Sequence, residues 1–210
     1  NNPKPYHVTN IVLHALSALV LWRVLKRLGI GELGAFLGGL LFGIHPVTVE
    51  TVAWIAERKN VLSILLYLSA ILAYLRCEDS QRRTWYAIAF ICGLAALLAK
   101  TSVVALPIIL LMLSWWRRGE VNKQSLLQVS PFFLAALVLG LVTIWFQQQH
   151  AIAGVVVRPE GVASRIASVG WTTWFYLYKL FVPINLLMVY PRWEIDGRQL
   201  VSFLPLLSLI

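Results

Sequence analysis

The chain has 210 residues, 59% of them hydrophobic and 13% charged, with a net charge of +9. A soluble domain of this size needs more polar surface than that, and the apolar runs lack the alternation of outer-membrane barrel strands. The positive balance does not mark a nucleic-acid binder. Half of the Lys and Arg residues form three clusters at the ends of apolar runs, Arg23/Lys26/Arg27, Arg76/Arg82/Arg83 and Arg117/Arg118/Lys123, as in cytoplasmic loops.

These features predict an all-α, polytopic membrane bundle, read as one transmembrane domain over residues 1–210. About seven spans are expected, with a last helix cut short and a short interfacial helix near 46–58. Several runs approach the ~20 residues that cross a bilayer.

The first span is expected over His7–Leu28, behind Pro3 and Pro5, with its basic end inside. Gly29 and Gly31 make the next turn. The second span, Glu32–Ile44, carries Gly34, Gly38, Gly39 and Gly43, at a spacing that lets helix backbones approach closely in lipid. His45 and Pro46 end it on the outer side. Val47, Val49, Val52, Ala53 and Trp54 give the interfacial helix its apolar side.

The third span runs from Asn60 to Leu75 and returns inside at RCEDSQRR. The fourth, Thr84–Ala99, leads to an outer hairpin at Lys100, Thr101 and Ser102. The fifth reaches Trp116, and the sixth covers Leu126–Gln147. An outer loop follows, whose Val-rich middle is expected to touch the membrane surface. Residues 166–182 suit either a seventh span or a surface helix, and the span is the expectation. Trp22, Trp85, Trp115, Trp116 and Trp145 read as interface anchors. The opening NNPKPYHV and the closing LVSFLPLLSLI suggest a piece of a longer protein.

Few residues can carry chemistry. His7, Asn10, His14 and Ser17 share one helix face. Polar groups inside a membrane need partners, so this stripe either bonds a neighbouring helix or lines a polar cavity. His7 and Asn10, near the outer end, are better placed for function than His14. Glu50 and Glu57 share a face two turns apart. They suit a paired-carboxylate mechanism or salt bridges and caps.

Arg58 and Lys59 sit on the outer side, against the positive-inside bias. They either snorkel to lipid phosphates or capture an anionic head group. Lys100, between two apolar spans, needs either a route to the interface or a cavity with a partner. Cys77 and Cys92 are not expected to pair. No zinc-ligand spacing, phosphate-binding glycine loop or nucleophile motif is present.

Four stretches carry a family resemblance in this order: NPKPYHVTNIVLHALSALVLWRVLKRL, LLFGIHPVTVETVAWIAERKNVLSILLYLSAILAYLR, LLAKTSVVALPIILLMLSWW and KLFVPINLLMVYP. The chain resembles the membrane part of bacterial tetratricopeptide-repeat glycosyltransferase-like proteins. It is also similar to the animal transmembrane and tetratricopeptide-repeat O-mannosyltransferases, within the protein O-mannosyltransferase group of the GT-C superfamily.

The resemblance implies sugar transfer from a polyprenyl-phosphate donor on the non-cytoplasmic face of a bacterial inner membrane. It implies that His45 and Glu50 border a sugar cavity and that Arg58, Lys59 and Lys100 face the phosphate. The catalytic Asp of the family is expected upstream of Asn1, so no catalytic residue is assigned here. No cofactor motif is evident, and the resemblance admits a divalent metal ion. The partners implied are the lipid bilayer and the polyprenyl-phosphate sugar, without nucleic acid. The competing reading is a non-catalytic membrane subunit that packs against other subunits of a larger complex. A transporter would require broken helices and an inverted repeat.

Overall fold

A computed structural model describes residues 3–152, 161–187, 190–191 and 193–209. All regular structure among them is helical. The elements are α1 (Lys4–Arg27), α2 (Glu32–Ile44), α3 (Val49–Ala53), α4 (Arg58–Ser80), α5 (Arg83–Ala99), α6 (Leu106–Arg118), α7 (Lys123–Phe146), α8 (Val162–Phe181) and α9 (Leu204–Leu207). Short 3-10 turns at Pro46–Thr48 and Ile55–Glu57 flank α3, and a third, Thr101–Ala105, joins α5 to α6. The Val-rich middle of the expected outer loop lies outside the described residues.

The chain forms two compact units, Asn1–Ala151 and Ile152–Ile210. In the first, α4 is the central helix. Val61, Tyr74 and Leu75 of α4 are fully buried with Leu106 and Leu110 of α6 and Val129 of α7. Phe132 of α7 meets the rings of Tyr74, Tyr86 and Phe90 edge-on at 6.4, 6.0 and 5.3 Å. Such edge-to-face pairs add stability beyond area burial. Leu134, Leu137, Leu141 and Trp145 of α7 are exposed, as suits a helix facing lipid.

Four helices among the described residues are long and apolar enough to cross a membrane: Lys4–Arg27, Ile55–Ser80, Thr101–Arg118 and Lys123–His150. A fifth arises if α2 and the segment Pro46–Ala53, bent by 43° at His45, act as one broken span. The remaining two of the seven expected are marginal for physical reasons. Helix α5 has 17 residues, the short limit for crossing. Helix α8 carries Arg165, Trp171, Trp174, Tyr176, Tyr178 and Lys179, which lower its hydropathy and suit an interface.

The small residues of α2 act as their spacing predicts. A Cβ on Gly39 would lie 3.0 Å from Trp22 Cβ and 3.1 Å from the Ala18 carbonyl oxygen of α1. One on Gly38 would lie 2.6 Å from Leu25 Cδ1. At Gly39 the close approach of the two backbones leaves little room for a side chain, whereas at Gly38 the contact is with the end of a flexible one.

The basic ends expected inside meet at one end of this unit. Arg27 of α1 pairs with Asp79 of α4. Arg117 of α6 bridges Asp79 and Glu78, and Arg118 reaches Glu78 Oε1 at 2.9 Å. The Glu78 side chain is only 5% exposed, so desolvation makes its partners matter. Ser114 donates to Glu78 Oε1 at 3.0 Å. The Ser114 proton is thereby committed, so the 3.3 Å contact with buried Tyr74 has the Tyr74 hydroxyl as donor. Asn122 caps α7 by accepting from Ser125 N at 2.8 Å.

In the second unit, Lys179 of α8 is held by its own loop. Its Nζ donates to the Ile184 carbonyl at 2.7 Å and lies 5.6–5.9 Å from the ring centroids of Phe175, Tyr178 and Tyr190. Backbone carbonyls and ring faces stand in for a counter-ion.

Candidate functional site

The site lies at the end of the first unit opposite the Arg27–Asp79 pair. It arises because the chain between α2 and α4 breaks its helix twice. His45 (φ −65°, ψ 129°) and Trp54 (φ −84°, ψ 118°) are extended. A break frees backbone carbonyls that an unbroken helix would satisfy, and near a membrane those carbonyls need donors.

Helix α1 supplies the donors from its polar stripe. His14 Nε2 lies 3.2 Å from the Gly43 carbonyl. A carbonyl only accepts, so Nε2 carries the proton. Asn10 Nδ2 donates to the Val52 and Trp54 carbonyls, each at 3.2 Å. Ser17 bonds within its own helix, to the Leu13 carbonyl at 2.9 Å. For Asn10 and His14 the stripe therefore works as interhelical glue.

The same geometry opens a cavity of about 470 Å³ between α1 and the broken segment. His7, Ile11 and His14 line one side, and His45, Thr48, Val49, Val52 and Ala53 line the other. A second cavity of about 430 Å³ runs along α1 and α2 between Ala15, Leu19, Trp22, Phe36 and Leu40. Ile11, His14, Gly43 and Ile44 border both. A pocket with three imidazoles thus continues into an apolar groove.

The ring of His45 has a defined polarity. Its Nδ1 accepts from Val47 N at 3.2 Å and caps the first 3-10 turn. The remaining nitrogen, Nε2, is then the one that bears a proton in the neutral ring.

The structure sorts the residues that the sequence singles out. His7 and His45 share the cavity. Asn10 does not line it; the residue is fully buried behind α3. His14, ranked lower on sequence, does line it, and its place seven residues after His7 on the same face is the signal. Arg58, the first residue of α4, stacks its guanidinium on the Tyr6 ring at 4.8 Å. Its Nε is buried without a hydrogen-bond partner, as are Asn10 Oδ1 and Asn60 Oδ1.

Lys59 and Glu50 are exposed. Lys100 is half-buried at the end of α5, where its N–H donates to Ala96 O at 2.9 Å. Among the described residues, no hydrogen bond, ion pair or ring contact joins Arg58, Lys59, Lys100, Glu50 and Glu57 to one another. None of these residues forms part of a group of three or more His, Cys, Asp or Glu placed to hold a metal ion. Cys77 and Cys92 are free thiols.

Fold and site together define a multi-pass α-helical membrane protein with an amphipathic cavity at one end of its bundle. The chain belongs to the dolichyl-phosphate-mannose-protein mannosyltransferase family, whose model matches residues 2–146. It is 43% identical over 79 residues to the protein O-mannosyl-transferase TMTC1 of Mus musculus, covering 37% of this chain and 8% of that protein. It is 34% identical over 105 residues to the Tmtc1 protein of Drosophila melanogaster, covering 50% and 12%. A longer alignment, 27% identical over 229 residues, covers 96% of this chain and 23% of the Drosophila Tmtc3 protein. The chain thus spans less than a quarter of the length of each of these relatives. No solved structure matches it.

Proposed function

We propose that this chain forms the donor-binding part of a GT-C-type glycosyltransferase. The donor is a polyprenyl-phosphate sugar, taken on the non-cytoplasmic face of the membrane. The membrane is a bacterial inner membrane, on the resemblance to the tetratricopeptide-repeat proteins. The observation that carries this reading is the cavity that sets His7, His14, His45 and Thr48 among apolar residues and continues into an apolar groove. A polyprenyl-phosphate sugar is an amphiphile of the matching pattern, with a polar head and a long apolar tail.

In this reading the sugar and phosphate occupy the cavity of His7, His14 and His45, and the first isoprene units enter the groove beside Trp22 and Phe36. His45 borders the sugar and phosphate from the broken segment. Arg58 and Lys59, at the start of α4, supply positive charge, and the N-terminus of that helix reinforces it. The roles of Lys100 and Glu50, neither of which lines the cavity, rest on the resemblance alone: Lys100 adds to the field at the phosphate and Glu50 borders the sugar. The base that activates the acceptor is not assigned to this chain.

The test uses the full-length protein and dolichyl-phosphate mannose as donor. Arg58→Ala should raise the donor KM by about tenfold, the scale of one lost charge-assisted contact. Arg58→Lys should recover only part of the loss, because the planar guanidinium is missing. Unchanged transfer by Arg58→Ala would remove Arg58 from the donor site.

A further inference from the structure

The cavity has two walls, and one of them is short and broken at both ends. Thr48, Val49, Val52 and Ala53 belong to a 3-10 turn and a five-residue helix. Both ends of this wall are extended breaks, at His45 and Trp54. Val47 and Trp54, outside the cavity lining, are each more than 40% exposed, so little packing holds the wall from that side. Two side chains of α1, one helical turn apart, tie it down. His14 bonds the Gly43 carbonyl just before the first break, and Asn10 bonds the Val52 and Trp54 carbonyls on either side of Ala53.

Asn10 differs from His14 in being fully buried and outside the cavity lining. Its amide nitrogen has two protons, and both go to carbonyl oxygens of the wall. The same two bonds fix which way the amide points, because a carbonyl oxygen turned toward Val52 and Trp54 would be repelled. Of the common side chains of this size, only Asn satisfies two acceptors from one short stem. Asp would present a carboxylate to two carbonyls, and Ser would satisfy one.

We infer that Asn10 is a positioning residue whose amide sets where α3 stands against α1 and so sets the width of the cavity. It touches no substrate. Its loss lets the wall swing away about the His45 and Trp54 breaks while the α1–α2 and α1–α4 packing stays in place. The consequence for donor affinity rests on the function proposed above; the positioning itself does not.

The experiment uses the full chain in detergent, with Cys77 and Cys92 replaced and Val52→Cys introduced as reporter. The Val52 bond to Asn10 uses the backbone carbonyl, so this change preserves it. Maleimide labelling of Val52→Cys should accelerate about tenfold on adding Asn10→Ala, the scale expected when two neutral hydrogen bonds no longer oppose opening. Asn10→Ser, with one donor left, should fall between. If Asn10→Ala does not yield folded protein, the Asn10→Ser comparison decides. Equal labelling rates in the native and Asn10-substituted backgrounds would overturn the inference.

A second arm adds dolichyl-phosphate mannose. It should slow labelling when Asn10 is native, and Asn10→Ala should need several-fold more donor for the same protection. In sugar transfer, Asn10→Ala should raise KM and leave kcat nearly unchanged. A merely structural role would lower thermal stability without this split. Faster labelling in Asn10→Ala with no protection by donor in any variant would uphold the positioning role and count against the donor reading. That outcome separates the two.

Discussion

Ser114 of α6 donates a hydrogen bond to the carboxylate of Glu78 of α4 at 3.0 Å, where the Glu78 side chain is 5% exposed. Arg117 and Arg118 complete the shell of that carboxylate, and Asp79 beside it draws in Arg27 from α1. Three helices are thus joined at one end by a cluster of five charged side chains.

Removing Glu78 leaves Arg118 without its carboxylate and costs Arg117 one of its two. Glu78→Ala is expected to destabilise the protein by about 1–3 kcal/mol, less than for a fully buried pair because Arg117 keeps Asp79 and both arginines are over a quarter exposed. Glu78→Gln keeps the shape and an acceptor for Ser114 and should cost less. Thermal unfolding in detergent by intrinsic tryptophan fluorescence compares them. An Ala variant as stable as the native protein would show that the cluster contributes nothing to the fold.

The two central glycines of α2 should differ in tolerance. At Gly39 a new Cβ meets the Ala18 backbone oxygen at 3.1 Å, and backbone cannot step aside. At Gly38 it meets the far end of the Leu25 side chain, which can rotate. Gly39→Ala is therefore expected to cost about 1–3 kcal/mol, and Gly38→Ala less. Gly38→Leu, which fills the gap altogether, should lower the yield of folded protein. Equal stability of Gly39→Ala and Gly38→Ala would contradict the close approach of α1 and α2 at that level.

Topology gives a third test. Lys59 and Ser80 are exposed at opposite ends of α4. In a background without Cys77 and Cys92, Lys59→Cys should react with a membrane-impermeant maleimide from outside, and Ser80→Cys only after the membrane is permeabilised. The reverse pattern would invert the positive-inside assignment.

Much of the fold was legible because it follows from one-dimensional signals. The bounds of α2 and the turn at His45 can be read from glycine spacing and from His-Pro. The grouping of Arg27, Arg117 and their neighbours on one side follows from charge clustering. The span count was less legible, since α5 sits at the short limit and α8 mixes apolar with interfacial residues. At the site, the polar stripe of α1 is the face that meets the broken segment. Which stripe residue lines the cavity was not legible. That depends on the two breaks at His45 and Trp54, which rotate carbonyls toward Asn10 and leave His14 at the cavity edge. Glu78 was hidden for a similar reason. In sequence it is one acid in a basic loop, and only the packing of α4 against α6 buries it.

The most direct measurement on the donor site fills the cavity and asks whether the donor still binds. Thr48 lines the cavity and is uncharged, so Thr48→Trp occupies the space without removing any charge. Binding of dolichyl-phosphate mannose to the full-length protein, followed by native mass spectrometry, is expected to fall by at least about tenfold in Thr48→Trp, while thermal stability and labelling at Lys59→Cys stay near native. Donor binding at native strength by a folded Thr48→Trp protein would contradict the assignment of this cavity to the sugar-phosphate head.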